Sequence, residues 1–273
     1  MATSAILAFN VVNMALRMLG DDSVTSAEFT AATLRRAAIA NEFWLSTLYA
    51  TEGEHPWNFN TKRAILYAYT MPAATLTPGA GAATVDTLAV TFTASAASFL
   101  VGDIGRQIVN KESGGTGKAT ITAFTSTTLV DATIDEAFPD LSAIASQDWR
   151  LYYTYPAWGE SRAILVPTDC LRVWRTENND EYQVEGGYII LSADTLNCRY
   201  SRQETDLTLA PYPFILALAT HLASNLAEPI TGQASKGEAF TKLYEHRLAR
   251  AKALDAQEGT PEVMESNALI DVR

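Results

Sequence analysis

The side chains able to do chemistry in this sequence are few, and their spacing does not gather them. His55, His221 and His246 are the three histidines, and none stands in an H-E-x-x-H or H-x₃-H arrangement; no Cys-x-x-Cys occurs either, so a zinc site has no support. His221 falls within an apolar helical stretch, where it reads as a satisfied core or interface residue. His55, beside Pro56 and Trp57, reads as a loop residue. Cys170 and Cys198 both sit in apolar, strand-like runs. They read as small core hydrophobes or as a disulfide between adjacent strands. The stretch Ser113–Ala119 contains Gly117-Lys118 but lacks the leading glycine of a phosphate loop. Ala119 replaces the magnesium-binding hydroxyl, and the segment falls between two strands where the motif must open a helix, so a hairpin loop is the expectation. No G-x-S-x-G elbow is present, and with 31 acidic residues, chance pairs of carboxylates carry no information about a glycosidase. Trp44, Trp57, Trp149, Trp158 and Trp174 are candidate sugar-stacking platforms; their positions within helices and strands favour core or subunit contacts. The expectation is a protein without a catalytic site, metal or cofactor.

Composition points the same way. The chain has 273 residues, 48% of them hydrophobic and 19% charged, enough for one large domain or two smaller ones with real cores. Its net charge of −11 does not neutralise phosphates, so sequence-independent nucleic-acid binding is not expected. Such a charge does suit a channel through which DNA slides without adhering. The first residues lack a basic leader and an A-x-A site, and Asn10, Asn13 and Arg17 interrupt their apolar run. Neither a signal peptide nor a membrane span is read there, and synthesis in a cytoplasm-like compartment is expected.

The elements that must position these residues follow from periodicity. Ser4 can cap a first helix carrying Ile6, Leu7, Val11, Met14, Leu16 and Met18, stopped at Gly20. A second is expected from Thr25 or Ser26 to about Leu48, with Glu28 in its first turn. From Trp57, WNFNTKRAILYAYT reads as a strand. Residues 72–148, rich in Thr, Ala, Ser and Gly, read as a small inserted all-β module. Strands return over 149–209, with a hairpin turn at Glu185-Gly186-Gly187. Helical spacing resumes at Phe214, Ile215, Leu218, Leu222 and Leu226, and a last helix runs from Ser235 to about Gln257. Its outer face interleaves Glu238, Lys242, Glu245, Arg247, Arg250 and Lys252. The expected fold is α+β. Residues 1–56 and 210–258 form a four-helix bundle from N- and C-terminal helix pairs, 57–71 and 149–209 a central antiparallel β-sheet or sandwich, 72–148 the insert, and 259–273 an arm. That arm carries Val263, Met264, Leu269, Ile270 and Val272 with no obvious core of its own. It either folds back on its own domain or docks on another subunit as a peptide.

Specific residues carry a resemblance. AFNVVNMALRMLGDDSV with its Leu19-Gly20 turn, the long helix running to Trp57-Asn58-Phe59, PTDCLRVWRTE, and RYSRQETDLTLAPYPFILALATHLASNLAEPITG resemble, in this order, the head-to-tail adaptor family of short-tailed bacteriophages, also called tail tubular protein A. The likeness covers 1–70 and 149–273; each motif is loose and their order is the stronger signal. The insert is a departure. Its Val101-Gly102-Asp103-Ile104-Gly105-Arg106 and Gly117–Ala123 are similar to small β domains of phage tail proteins. The resemblance implies a structural, non-enzymatic virion protein of the neck, assembled in the host cytoplasm. It implies a homo-oligomeric ring, commonly a dodecamer, between portal protein and tail nozzle protein, with tail fibres as further candidate partners. DNA would cross its lumen without specific binding, and no membrane is involved. Val263, Met264, Leu269, Ile270 and Val272 are then the candidate portal-docking anchors. Arg35, Arg36, Glu238, Lys242, Arg247 and Arg250 are the candidate intersubunit residues. Another neck or tail component, or a host-glycan-binding module, is the alternative.

Overall fold

Among the described residues, apolar residues at helical spacing give five helices: α1 (Ala8–Leu19), α2 (Ser26–Ala31), α3 (Arg35–Gly53), α4 (Tyr212–Thr231) and α5 (Ala234–Ala256). The β-branched and aromatic stretches give β1 (Thr61–Tyr67), β2 (Tyr69–Thr70), β3 (Leu76–Pro78), β4 (Val90–Ala94), β5 (Gln107–Asn110), β6 (Lys118–Ser126) and β7 (Leu129–Glu136). They continue with β8 (Trp149–Tyr152), β9 (Arg162–Leu165), β10 (Cys170–Thr176), β11 (Gln183–Glu185), β12 (Tyr188–Leu191) and β13 (Thr195–Arg202). The structure, a computed structural model, describes residues 8–85, 88–112, 116–153, 159, 161–177 and 181–258. The fold is α+β, with helices at both ends of the chain and antiparallel sheets between them. Two units divide it: one from 1–63, 169–174 and 199–273, the other from 64–168 and 175–198. β1, β13 and β10 form a three-stranded sheet in that order.

In the first unit α4 is the central element and packs on α1, α3 and α5. Phe214, Ile215, Leu218, Leu222 and Leu226 are all buried, each contributing about 1.5–3 kcal/mol on leaving water. Val11, Val12, Ala15, Leu16 and Leu19 of α1 and Ala37, Ala40, Trp44 and Leu48 of α3 join the same core. The turn after α1 is closed by Asn13, whose amide donates to the Val24 carbonyl at 2.8 Å and accepts from its N–H at 2.7 Å. The single helix expected over 25–48 is in fact two. Thr25 and Glu28 form a reciprocal capping box on α2, which then stops at Ala32, held left-handed at φ 49° with its N–H turned back to the Glu28 and Phe29 carbonyls. Leu34 is extended and α3 starts afresh, while the Asn41 amide bonds the Phe29 carbonyl at 3.0 Å. No glycine or proline marks this break. Trp57 and Phe59, expected in a strand, lie in the turn before β1. Trp57 is wholly buried in the helical core, its indole N–H donating to the Thr51 carbonyl at 3.1 Å and its ring edge-on to Phe214 at 5.0 Å.

The second unit is built on a seven-stranded antiparallel sheet in the order β2-β8-β5-β6-β7-β4-β3. Strict alternation of burial along β4 puts Val90, Phe92 and Ala94 inward against Val130, Ala132 and Ile134 of β7. The pairing Tyr69↔Tyr152 and Thr70↔Leu151 brings β2 and β8 into this sheet, so it begins before Pro72 and extends past residue 148. A separate antiparallel sheet, β11-β12-β9, contains the expected hairpin: Glu185 faces Tyr188 across Gly186 and Gly187, both at positive φ as a two-residue type I′ turn requires.

Candidate functional site

The charged residues at the start of α3 and on α5, and the end of α5, are the candidate partner-facing positions. Arg35 and Arg36 open α3 and line a cleft of about 230 Å³ with Asp21, Leu34, Ile39 and Ile230. Arg35 is exposed and its Nη2 donates to the Pro229 carbonyl at 3.3 Å. Arg36 lies 3.7 Å from Asp21 and 3.9 Å from Asp22, and its Nε, out of reach of water, has no hydrogen-bond acceptor among the described residues. On α5, Glu238, Lys242 and Arg250 are exposed. Arg247, expected on that outer face, turns inward instead. Its Nη1 donates to the Thr220 hydroxyl of α4 and lies 3.8 Å from the Met18 sulfur of α1. Because its guanidinium stays hydrogen-bonded while its stem covers apolar surface, the helix pattern alone did not reveal the direction.

The end of α5 is fixed by a group that the sequence reading passed over. Asp255 is buried, accepting from the Asn58 N–H at 3.2 Å and sharing a 3.1 Å hydrogen bond with His55 Nε2. The Asn58 amide returns a bond to the Asp255 carbonyl at 2.9 Å. His55 also sits edge-on against Trp57, with ring centroids 4.9 Å apart. Burial outweighs the attraction of Asp255 and holds the His55 pKa below its ordinary value. The signal was present: Tyr244, Leu248, Ala251 and Asp255 form one buried stripe, ending in an acid. The candidate anchors Val263, Met264, Leu269, Ile270 and Val272 lie outside the described residues, and Glu258, the last described before them, stands just beyond this clamp.

Two further titratable groups are buried in the same unit. His221 shares a 2.9 Å hydrogen bond with Thr51 and stacks on Tyr244, with centroids 4.2 Å apart and planes 17° off parallel. The Thr51 hydroxyl donates to the Thr47 carbonyl, so Nδ1 of His221 carries the hydrogen. Burial lowers its pKa. Glu52 is fully buried: Oε2 accepts from the Glu204 N–H at 3.3 Å, and Oε1 has no partner among the described residues. Desolvation pushes its pKa up to about 8; the hydrogen bond from the Glu204 N–H opposes the rise, the Glu204 carboxylate adds to it and Arg202 opposes it. His246 is exposed.

In the second unit the phosphate-loop lookalike resolves into packing. A Cβ at Gly117 would lie 2.4 Å from the Phe138 ring, and Lys118 pairs with Glu136 at 2.7 Å at the start of a hairpin strand. Residues 113–115 lie outside the described residues. Arg106 is the residue that the V-G-D-I-G-R stretch serves. It is buried, bonded to Asp103 at 2.9 Å and Thr70 at 3.1 Å, and stacked 4.1 Å over Tyr153. That tie presents Leu100, Val101 and Ile104 outward at 68%, 70% and 51% exposure. Of the tryptophans, Trp44, Trp57 and Trp149 are buried, and Trp174 is half-buried with its N–H on Ser201; Trp158 lies outside the described residues. Cys170 and Cys198 form no disulfide, and Cys198 is a buried thiol.

Among the described residues no three His, Cys, Asp or Glu side chains gather to hold a metal ion, and no helix is long and apolar enough to cross a membrane. Compared with known proteins, the chain matches no family model, and no curated protein matches it.

Proposed function

We propose that this chain is a structural head-to-tail adaptor of a bacteriophage virion. As such it is a non-enzymatic ring subunit, commonly one of twelve, seated between portal protein and tail nozzle protein in the neck. The observation that carries this reading is the helical unit itself: a central α4 buried by α1, α3 and α5, an outward charged face, and an α5 end locked by Asp255 ahead of the arm. On this reading α1, α3, α4 and α5 work as a four-helix bundle, and the β-strands around it as a central sheet or sandwich with the inserted module. A ring needs two different patches on every subunit, one for each neighbour. Arg35, Arg36, Glu238, Lys242 and Arg250 supply charges suited to registering them, and Arg247 braces α5 from within. Val263, Met264, Leu269, Ile270 and Val272 are the portal anchors. Tail fibres are further candidate partners, and DNA traverses an acidic lumen without specific binding.

The outward turn of Leu100, Val101 and Ile104 favours, as second reading, a neck or tail component in which the β module makes the principal contact. The two readings separate on the arm. Removing residues 259–273 leaves a folded chain that no longer binds the cognate portal if the adaptor reading holds; portal binding that survives the deletion and is lost in Leu100→Ser/Val101→Ser favours the module.

A further inference from the structure

We infer that Lys111, Arg150 and Arg162, gathered over the rings of Tyr69 and Tyr152 in the second unit, form a binding site for a phosphate group. The site does not depend on the adaptor reading.

Strand β8 builds it. Tyr152 pairs with Tyr69 of β2 on one side and with Gln107 of β5 on the other. Trp149 and Leu151 belong to the core, so alternation puts Arg150 and Tyr152 on the opposite face of the sheet. There the rings of Tyr69 and Tyr152 meet with centroids 5.3 Å apart. Arg150 lies over Tyr69, its Cζ 4.3 Å from the ring centre. Arg162 Cζ and Lys111 Nζ both lie over Tyr152, at 4.8 Å and 5.5 Å. A tyrosine face attracts a cation, and rings anchored in a sheet fix where the cations rest. Three long side chains are thus ordered at one spot before a ligand arrives, which lowers the entropic cost of binding.

Their charge is not balanced. Asp194 is the one carboxylate in the cluster, accepting from Arg162 Nε at 2.5 Å and from the Tyr152 hydroxyl at 2.9 Å. Lys111 and Arg150 make no ion pair among the described residues, whereas Arg106 and Lys118 of the same unit each have a carboxylate of their own.

The cluster is also open to a solute. Lys111 is exposed, and the Arg162 side chain is 33% exposed. A phosphate group presents several charged oxygens around one centre, which guanidinium forks and an ammonium can share. That group can belong to a free phosphate ester or to a nucleic-acid backbone.

The test follows the Arg150 and Arg162 Nε–H resonances of the full chain by NMR, adding inorganic phosphate while chloride holds the ionic strength constant. Both resonances should shift and saturate. Lys111→Gln should weaken binding about fivefold, the size of an exposed charge contact, without moving the melting temperature. Arg150→Gln should weaken it about tenfold or more, as expected for a charge-assisted hydrogen bond. A short single-stranded DNA then separates the two sources. Tighter binding than phosphate, with log affinity falling against log salt at a slope of about −2 for three neutralised phosphates, assigns the backbone; DNA that binds no better than phosphate assigns a free ester. Shifts that never saturate, shifts that chloride alone reproduces, or binding indifferent to both variants would overturn the inference. No arm uses a portal, so a failure here leaves the adaptor reading to its own test.

Discussion

The carboxylate of Asp255, near the end of α5, is joined to His55 Nε2 at 3.1 Å across 200 positions of sequence. It also accepts from the Asn58 backbone N–H at 3.2 Å. Asp255→Ala leaves two partly buried donors without their carboxylate acceptor, and the expected loss of stability is about 1–2 kcal/mol. Chemical denaturation of the variant beside the parent checks this; a loss well under 1 kcal/mol would mean that the clamp is not buried as described.

His55 and His221 both have pKa values held below the ordinary histidine value by burial. The unfolded chain therefore binds protons more readily than the folded one as pH falls below about 6.5. Stability contributed by the neutral rings is present above that pH and drains away toward the lower folded pKa values. His221→Gln should flatten the fall in unfolding free energy between pH 7 and pH 5; an unchanged slope would contradict the assignment.

Glu52 works in the opposite direction. Its folded pKa of about 8 exceeds the ordinary carboxylate value of 4.5, so the folded state holds a proton that the unfolded state releases. Stability is fully present below the lower value and is lost as pH rises through the upper one, at ~1.4 kcal/mol per unit. Glu52→Gln should match the parent near pH 4.5 and exceed it by a few kcal/mol at pH 8.5. A difference that does not grow with pH would refute the buried neutral carboxyl.

Gly117 and Lys118 separate packing from phosphate binding. Gly117→Ala drives a Cβ into the Phe138 ring and should cost about 1–3 kcal/mol. Lys118→Ala, which removes only a surface pair with Glu136, should leave the melting temperature nearly unchanged. Equal tolerance of both changes would show that Phe138 can give way.

Much of the helical scaffold was legible because burial and periodicity coincide: Phe214, Ile215, Leu218, Leu222 and Leu226 declared α4, and the paired glycines at 186 and 187 declared their hairpin. The α2–α3 break was not, because Ala32 carries no turn chemistry and is held left-handed by the surrounding contacts rather than by its own preference. Trp57 misled for a related reason: an aromatic beside a strand looks like the strand, and only the fold shows it filling the helical core. Asp103 and Arg106 were read only as part of a stretch similar to small β domains, and their pairing was not, since a buried ion pair and an exposed one look alike in sequence. At the candidate interface, charge type was legible and direction was not, as Arg247 shows.

The measurement that bears most directly on the adaptor account is the particle mass of the full chain alone and after mixing with its cognate portal ring. The account predicts that many copies, commonly twelve, join each portal ring in one closed layer, visible as a ring at one end when imaged. A chain that stays at its own mass beside an unchanged portal, or that forms only a small closed oligomer indifferent to it, would contradict the account.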